Sequence, residues 1–221
     1  YKHKIPKFEK NEVENIGNPK FYFVSGFEHP KLPIIKDNGF FLFNWGLIPM
    51  WVKDNNQANE IRSKTLNAVG ETVFEKPSFK NSINKHRCIL PINGFFEWRH
   101  FGKRKIPYFI HSSDNNFLSI GCIFETWVDR QSGEIFNTFS IITTQANELL
   151  SKIHNTKLRM PLILKPEDEN RWIDTSISPD EIKKLIKPLP DGLLNAYTIS
   201  DFVNNPQNDR NQEFVLEKHF Y

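Results

Sequence analysis

A carboxylate stands among aromatic residues at positions 93–98, which read NGFFEW and follow the apolar run CILPI. Glu97 lies there between Phe96 and Trp98, in a stretch whose pattern is otherwise that of a strand entering a core. Burying an unpaired ionised carboxylate costs several kcal/mol, so a buried position needs a chemical reason. The alternative is equally compatible with this stretch alone: Glu97 lies on the outward face of a half-buried strand.

Two further segments carry polar residues in unusual positions. LNAVGET at 66–72 places Asn67 and Glu71 in a turn that contains a glycine. TTQANELLSKIHNTKLRMPLIL at 143–164 places His154 at the end of a predicted helix, just before a strand that starts with Arg159. Each position also has a simple structural explanation, because an asparagine caps turns and a histidine at a helix C-terminus complements the helix dipole.

The spacing of the cysteines and histidines argues against several other kinds of site. Cys88 and Cys122 sit in apolar contexts without CxxC spacing, which predicts two reduced core thiols in a cytosolic protein. The seven histidines show no HxH or HExxH spacing, so a metal hydrolase is disfavoured. No apolar run reaches membrane-spanning length. We expect a cytoplasmic protein with no metal site and no membrane partner.

Positive charge is concentrated locally rather than overall. The 221 residues carry a formal net charge of +3, which excludes a polycation. Within residues 76–105, however, eight basic residues stand against one acid, Glu97, which gives a local charge of +7. Phenylalanine is frequent, at 20 residues, and its ring both fills cores and stacks on bases. The segment is compatible with a nucleic-acid site and with a solvated face that ends in a basic hairpin tip.

Strands dominate the predicted secondary structure up to Thr144, and helices follow. The predicted strands are 21–27, 32–35, 39–51, 87–100, 105–112, 117–127, 138–144, 159–164 and 194–200. FGKRK at 101–105 predicts a hairpin turn at Gly102. The predicted helices are 145–154, one starting at Pro166, and 178–186. Residues 53–79 show no sustained period over their first half, and their second half is compatible with one helical turn before Pro77. Residues 1–20 predict a loose polar segment. We expect one α+β domain over residues 1–221.

Eight short motifs occur in an order that resembles one protein family. They are WGLIP at 45–49, NAVGET at 67–72, EKPSF at 75–79, GFFEW at 94–98, TTQAN at 143–147, IH at 153–154, RMPLIL at 159–164 and TIS at 198–200. One such motif is weak, but eight in order are specific. The chain resembles the SRAP family, the SOS response-associated peptidases. The resemblance implies an α+β fold with a strongly curved, barrel-like mixed sheet and a few peripheral helices.

The resemblance also implies chemistry on abasic sites in single-stranded DNA. Family members link covalently to the ring-opened deoxyribose aldehyde through a cysteine that becomes the N-terminus once the initiator Met is removed. Its amine condenses with the aldehyde, and its thiolate then closes a thiazolidine ring. By the same resemblance, Glu97 performs general acid–base catalysis, His154 moves protons at the sugar, and Asn67 hydrogen-bonds the reacting terminus. No cofactor is implied.

An abasic nucleotide offers phosphates and neighbouring bases but no base of its own. Its recognition therefore requires a basic groove and stacking side chains rather than sequence readout. We expect the groove to be lined by Trp45, Trp51, Lys76, Lys80, Arg87 and Arg159. The expected partner is single-stranded DNA that contains abasic sites, bound by a monomer.

Three features depart from the family pattern. Neither Cys88 nor Cys122 can form a thiazolidine, because the ring needs a thiol and an amine on one terminal residue, so we expect the reactive cysteine upstream of Tyr1. Val69 replaces a usual arginine, which predicts weaker phosphate contact unless Arg62, Lys64 or Arg159 substitutes. The spacing from His154 to Arg159 is also longer, by the residues TKL.

Two other functions compete with a catalytic crosslinking protein that removes its own initiator Met. One is a non-catalytic module that binds single-stranded DNA with the same pocket but without a nucleophile. The other is a general cysteine-type peptidase, which is disfavoured because no Cys–His pair has the context of a nucleophile.

Overall fold

The computed structural model describes residues 21–221, so the prediction for residues 1–20 lies outside the described part of the chain. The strands, in chain order, are β1 (Lys31–Lys36), β2 (Gly39–Trp45), β3 (Asn67–Val69), β4 (Arg87–Ile92), β5 (Gly94–Phe101), β6 (Arg104–Ser112), β7 (Leu118–Val128), β8 (Ile135–Gln145), β9 (Arg159–Pro161), β10 (Ile163–Leu164) and β11 (Leu194–Thr198). The helices are α1 (Asn55–Arg62), α2 (Ser82–Lys85), α3 (Glu148–Ile153), α4 (Pro166–Ile173) and α5 (Pro179–Leu185).

Five strands close into a barrel at the centre of the fold. Pairing runs β1–β2–β8–β7–β4 and returns to β1, and each of these pairs is antiparallel except β2–β8. Strands β3 and β9 extend the sheet from β8, and β10 extends it from β7. Closure requires strong curvature and removes free strand edges. The expected α+β fold with a barrel-like mixed sheet is confirmed.

Alternation along the strands divides the apolar side chains between two clusters. Ile34 of β1 joins the cluster inside the barrel, whereas its neighbour Ile35 joins the outer cluster beneath α4 and α5. Cys88 and Cys122 lie opposite each other across β4 and β7, and both are buried free thiols. Burial raises the pKa of the Cys88 thiol well above its usual range, because apolar surroundings disfavour a thiolate. The two predicted core thiols are therefore confirmed.

A second, antiparallel sheet of three strands, β11–β6–β5, carries part of the candidate site. Its two faces have different environments. Phe95 pairs with Ile110, and both pack on the barrel cluster. On the opposite face, Phe96 and Trp98 join a separate cluster with Val203. The side chains of β5 therefore alternate between the barrel and this smaller cluster.

The secondary structure differs from the prediction in several places: the strand predicted over 39–51 ends at Trp45, and Asn67, predicted in a turn, lies on β3. Residues 21–25 form no strand, because the Asn211 side chain accepts the backbone N–H of Tyr22 at 2.7 Å, and a 3-10 turn, Gly26–Glu28, follows. Helix α1 was missed because it buries only Ala58, which leaves almost no apolar period; Asp54 caps it by accepting the N–H of Gln57 at 2.9 Å. Within residues 21–221, no helix is long and apolar enough to cross a membrane.

Candidate active site

Glu97 lies on the barrel face of β5, not on an outward face. It is two residues from Phe95 and pairs with Tyr108, and both neighbours pack on the barrel cluster. The side chain is 21% exposed. Burial raises the pKa of the Glu97 carboxyl, although the charge of nearby His154 and the Trp98 N–H, which donates at 3.1 Å, oppose the shift. The alternative of an outward-facing carboxylate is therefore wrong.

His154 reaches Glu97 from the end of α3. Asn147 caps this helix by accepting the Leu150 N–H at 3.0 Å, and the His154 N–H donates to the Leu150 carbonyl at 2.7 Å. The imidazole Nδ1 lies 2.9 Å from the Arg159 carbonyl oxygen and 3.3 Å from Glu97 Oε1. A carbonyl only accepts, so Nδ1 carries a proton and Nε2 is the nitrogen that can exchange one with a ligand.

Asn155 fixes the loop that carries His154 to the edge of the second sheet. Its side-chain nitrogen donates to the His100 carbonyl at 2.9 Å, and its side-chain oxygen accepts the His100 N–H at 3.0 Å. Because β5 is the edge strand of its sheet, these backbone groups are available to a side chain. The amide of Asn155 thus takes the place of a neighbouring strand. Sequence inspection missed this residue, and the only signal was the longer spacing between His154 and Arg159.

Arg159 connects the His154 loop to the residues after β3. Its guanidinium donates to both oxygens of Glu71, each at 2.7 Å, and to the Thr143 carbonyl at 2.7 Å. These hydrogen bonds lower the pKa of the Glu71 carboxyl. The Arg159 charge is already paired, so a DNA phosphate would have to compete with Glu71 for it.

Asn67 does not join Glu97 and His154 in a direct contact. It lies on β3, which pairs with β8 at Ile141–Thr143, and its side chain is exposed without a hydrogen bond to the rest of residues 21–221. Val69 shares its exposed side of the strand. The structure brings Glu97 and His154 together, and the catalytic roles of these two residues and of Asn67 stay predictions.

The residues predicted to bind DNA divide into surface and structural positions. Trp51 is 49% exposed, and its indole N–H donates to the Pro77 carbonyl at 3.4 Å. Lys76 and Lys80, from the same segment as Pro77, are exposed. Trp45 is half-buried, donates to the Leu66 carbonyl at 2.8 Å and stacks on Phe139.

Arg87 is a core residue, and its predicted contact with DNA is wrong. It is 2% exposed, and its guanidinium donates only to backbone carbonyls. These carbonyls belong to Trp172, Ile83, Asn84 and Asp174. The guanidinium therefore ties α2 and α4 to the barrel instead of facing a ligand.

Comparison with known proteins identifies the family of this chain. The family model for "SOS response associated peptidase (SRAP)" matches residues 27–206. This protein belongs to the SRAP family. The SRAP chain is 37% identical over 177 residues to "Abasic site processing protein YoqW" of Bacillus subtilis (strain 168), covering 79% of this chain and 75% of that protein.

More distant relatives and a solved structure give the same family context. The SRAP chain is 33% identical over 186 residues to "Abasic site processing protein HMCES" of Gallus gallus, covering 75% of this chain and 54% of that protein. A crystal structure of a protein from Bacteroides thetaiotaomicron is 43% identical with a TM-score of 0.88, covering 95% of this chain and 90% of that chain.

Proposed function

We propose that this protein processes abasic sites in single-stranded DNA by forming a covalent link to the opened deoxyribose. The observation that carries the proposal is the pairing of Glu97 with His154 at 3.3 Å, where the two sheets meet α3. Its support is membership of a family whose relatives are named abasic site processing proteins. The same reaction centre is proposed to remove the protein's own initiator Met.

The proposed nucleophile is the N-terminal cysteine that the family resemblance implies. Its neutral amine attacks the aldehyde carbon, the carbinolamine hydroxyl takes up a proton and leaves as water, and an iminium ion remains that keeps its N–H. The thiol of the same residue then gives up its proton and its sulfur adds to the iminium carbon, which forms the C–S bond and leaves the nitrogen as a neutral amine. Cys88 and Cys122 cannot take this role, because both are buried inside the barrel.

Glu97 suits the two proton transfers of this sequence. Its raised pKa favours the protonated form, which donates a proton to the departing hydroxyl. The resulting carboxylate then accepts the thiol proton during ring closure. The opening of the sugar ring also needs proton exchange at the hydroxyl and the ring oxygen, and the free Nε2 of His154 serves that step. Asn67 is proposed to hydrogen-bond the reacting terminus.

DNA binding is proposed to use the exposed members of the predicted set, Trp51, Lys76 and Lys80, together with Arg159. Trp51 offers an exposed indole for stacking on a base, and the two lysines beside it are free to contact phosphates. Trp45 contributes by holding the turn after β2, since its indole is bonded and stacked within the protein.

The test is adduct formation between the full-length protein and a single-stranded oligonucleotide that contains one abasic site. The proposal predicts an adduct that survives denaturing electrophoresis and is lost when the terminal cysteine becomes Ala. Glu97→Gln should slow adduct formation about a hundredfold or more while DNA binding persists. Glu134→Gln, at an exposed turn, is the matched control and should react at the wild-type rate. DNA binding without any adduct would instead support the non-catalytic module.

A further inference from the structure

One face of the β5–β6 hairpin continues outward from the candidate active site. Directly paired residues in an antiparallel ladder share a face, and residues two apart along a strand do so as well. Glu97, Arg99 and Phe101 therefore lie on one face of β5. Arg104 is paired with Phe101 and belongs to the same face. Lys105 is paired with His100 and belongs to the opposite face.

This outward part of the face is cationic and apolar, and its groups are exposed. Phe101 is 70% exposed. Arg99 is exposed and has no ion pair or hydrogen bond with any other side chain in residues 21–221. Arg104 is exposed with its guanidinium 5.6 Å from the Tyr221 ring centre, a contact that leaves its charge unneutralised. Residues 99–105 contain four basic residues and no acid.

The combination of these groups fits one class of ligand. Arginine side chains on either side of an exposed aromatic ring are the elements with which proteins bind single strands, since the cations contact phosphates and the ring stacks on a base. Residues two apart on a strand advance about 6.6–6.8 Å, which is comparable to the separation of successive phosphates in an extended strand. Lys157 adds a positive charge at the start of this path, close enough to lower the pKa of Glu97.

We infer that Arg99, Phe101 and Arg104 form a track for the DNA strand on one side of the abasic nucleotide. The inference rests on the proposed function, because that function places the reacting sugar at Glu97. The track is separate from the surface around Trp51, Lys76 and Lys80, which is built on the segments after β2 and β3. A strand leaving the sugar along the hairpin meets Arg99 first, then Phe101 and Arg104.

The hairpin itself supplies a matched control for the charge contacts. Arg99→Gln with Arg104→Gln removes two charges from the track, and Lys103→Gln with Lys105→Gln removes two charges from the turn and the opposite face. Binding of a labelled oligothymidylate is measured against salt concentration. The track variant should lower the salt slope by about 1.4, the value for two phosphate contacts to a single strand. The control variant should lower the salt slope by clearly less. Equal changes in the two variants would overturn the proposal that Arg99 and Arg104 contact the DNA strand.

Phe101 tests whether the track stacks on bases. Phe101→Leu keeps an apolar side chain but removes the aromatic face, and Phe101→Tyr keeps the ring. The leucine variant should bind oligothymidylate roughly tenfold more weakly, whereas the tyrosine variant should bind like the wild type. If the wild type and both variants bound oligothymidylate with equal affinity, Phe101 would not stack on a base.

A pair of abasic oligonucleotides distinguishes failure of the track from failure of the proposed function. One has normal nucleotides only on the 5′ side of the abasic site, and the other only on the 3′ side. The track variant should slow adduct formation at limiting DNA with one oligonucleotide and not with the other. Adducts that form at the wild-type rate with both would overturn the track and leave the proposed function standing. Absence of adducts and of DNA binding in the wild-type protein would overturn both.

Discussion

Residues 21–221 contain two pairs of glutamate and histidine with nearly the same separation. His154 Nδ1 lies 3.3 Å from Glu97 Oε1, and His86 Nδ1 lies 3.4 Å from Glu125 Oε1. In the first pair, both side chains are about one-fifth exposed, at 19% and 21%. In the second pair, Glu125 is only 4% exposed while His86 is 40% exposed. Distance alone therefore does not separate a reaction centre from a structural contact.

The hydrogen bonds around the two pairs make the difference. Glu125 accepts the Ser82 hydroxyl at 3.0 Å and the Thr126 N–H at 3.2 Å, so its oxygens are already occupied inside the protein. His86 Nδ1 has no hydrogen-bond partner in the described part of the chain, and its ring stacks on Phe124. No carbonyl fixes its tautomer.

The Glu97 pair has the opposite arrangement. The Arg159 carbonyl fixes the proton on His154 Nδ1, and Asn155 holds the loop on β5. Glu97 accepts one hydrogen bond, from the Trp98 N–H, and keeps a raised pKa. Among the Glu–His pairs of residues 21–221, only this one combines a fixed tautomer with an accessible acid, as the proposed proton transfers require.

The largest expected effect is on the rate of adduct formation, and it should separate the two glutamates. Glu97→Gln should slow adduct formation about a hundredfold or more, because the amide cannot exchange a proton. Glu125→Gln should leave the rate unchanged and lower the free energy of unfolding by about 1–3 kcal/mol, since it disturbs buried hydrogen bonds. Single-turnover kinetics and urea unfolding on both variants check this. A slow Glu125→Gln protein of normal stability would contradict the comparison.

The two histidines should differ as the two glutamates do, because only substitution of His154 should slow adduct formation. His154→Ala should slow adduct formation by about a hundredfold, the lower range for loss of a general acid–base group. His86→Ala removes a half-exposed ring from the surface and should leave the rate within about twofold of the wild type, since it contacts no reacting group. The measurement is again the single-turnover rate at saturating DNA. Similar losses in both variants would show that the site extends to α2.

Asn155 should have a smaller effect, because it acts through the position of His154. Asn155→Ala removes two hydrogen bonds and should slow adduct formation about threefold to tenfold, as expected for net contributions near 0.5–1.5 kcal/mol. Asn155→Asp keeps the acceptor for the His100 N–H but loses the donor to the His100 carbonyl. Its rate of adduct formation should lie between that of the wild type and that of Asn155→Ala. NMR of the His154 ring should show altered tautomer signals in the alanine variant; unchanged signals with a slow rate would point to another cause.

The smallest effect concerns stability and pH. Because the pKa of Glu97 is raised by folding, the folded protein holds this proton more tightly than the unfolded chain. The contribution of Glu97 to stability is complete below the ordinary glutamate pKa and is lost as pH rises through the raised value. Glu97→Gln removes this dependence, so its stability relative to the wild type should increase as pH rises through that interval. If the urea midpoints of the wild type and of Glu97→Gln differed by the same amount at every pH in this range, the raised pKa of Glu97 would be contradicted.

The sequence predicted the local features of the fold better than its long-range contacts. The β5–β6 hairpin and α3 follow from signals close in sequence, Gly102 at a positive φ of 58° and the Asn147 cap. Arg87 was misjudged, because nothing in its neighbourhood shows that distant backbone carbonyls surround it. Asn155 was missed for the same reason, since its partner is the edge of a strand that lies far away in sequence.

The site was predictable only in part. The matching of family motifs identified Glu97 and His154, and alternation along β5 alone left the direction of Glu97 open. The barrel decides that direction, because Phe95 and Ile110 must face its core. The burial of Glu97, and with it the raised pKa, is a property of the packed fold.

In the proposed reaction, Glu97 donates a proton to the departing hydroxyl and then accepts one from the cysteine thiol. The most direct test of this role is the pH dependence of the single-turnover rate of adduct formation, measured for the full-length protein and for Glu97→Gln. The wild-type rate should fall as pH rises through the raised pKa of Glu97, and this limb should be absent from the slower Gln variant. A Gln variant with the wild-type rate and the same pH profile would show that Glu97 takes no part in the chemistry.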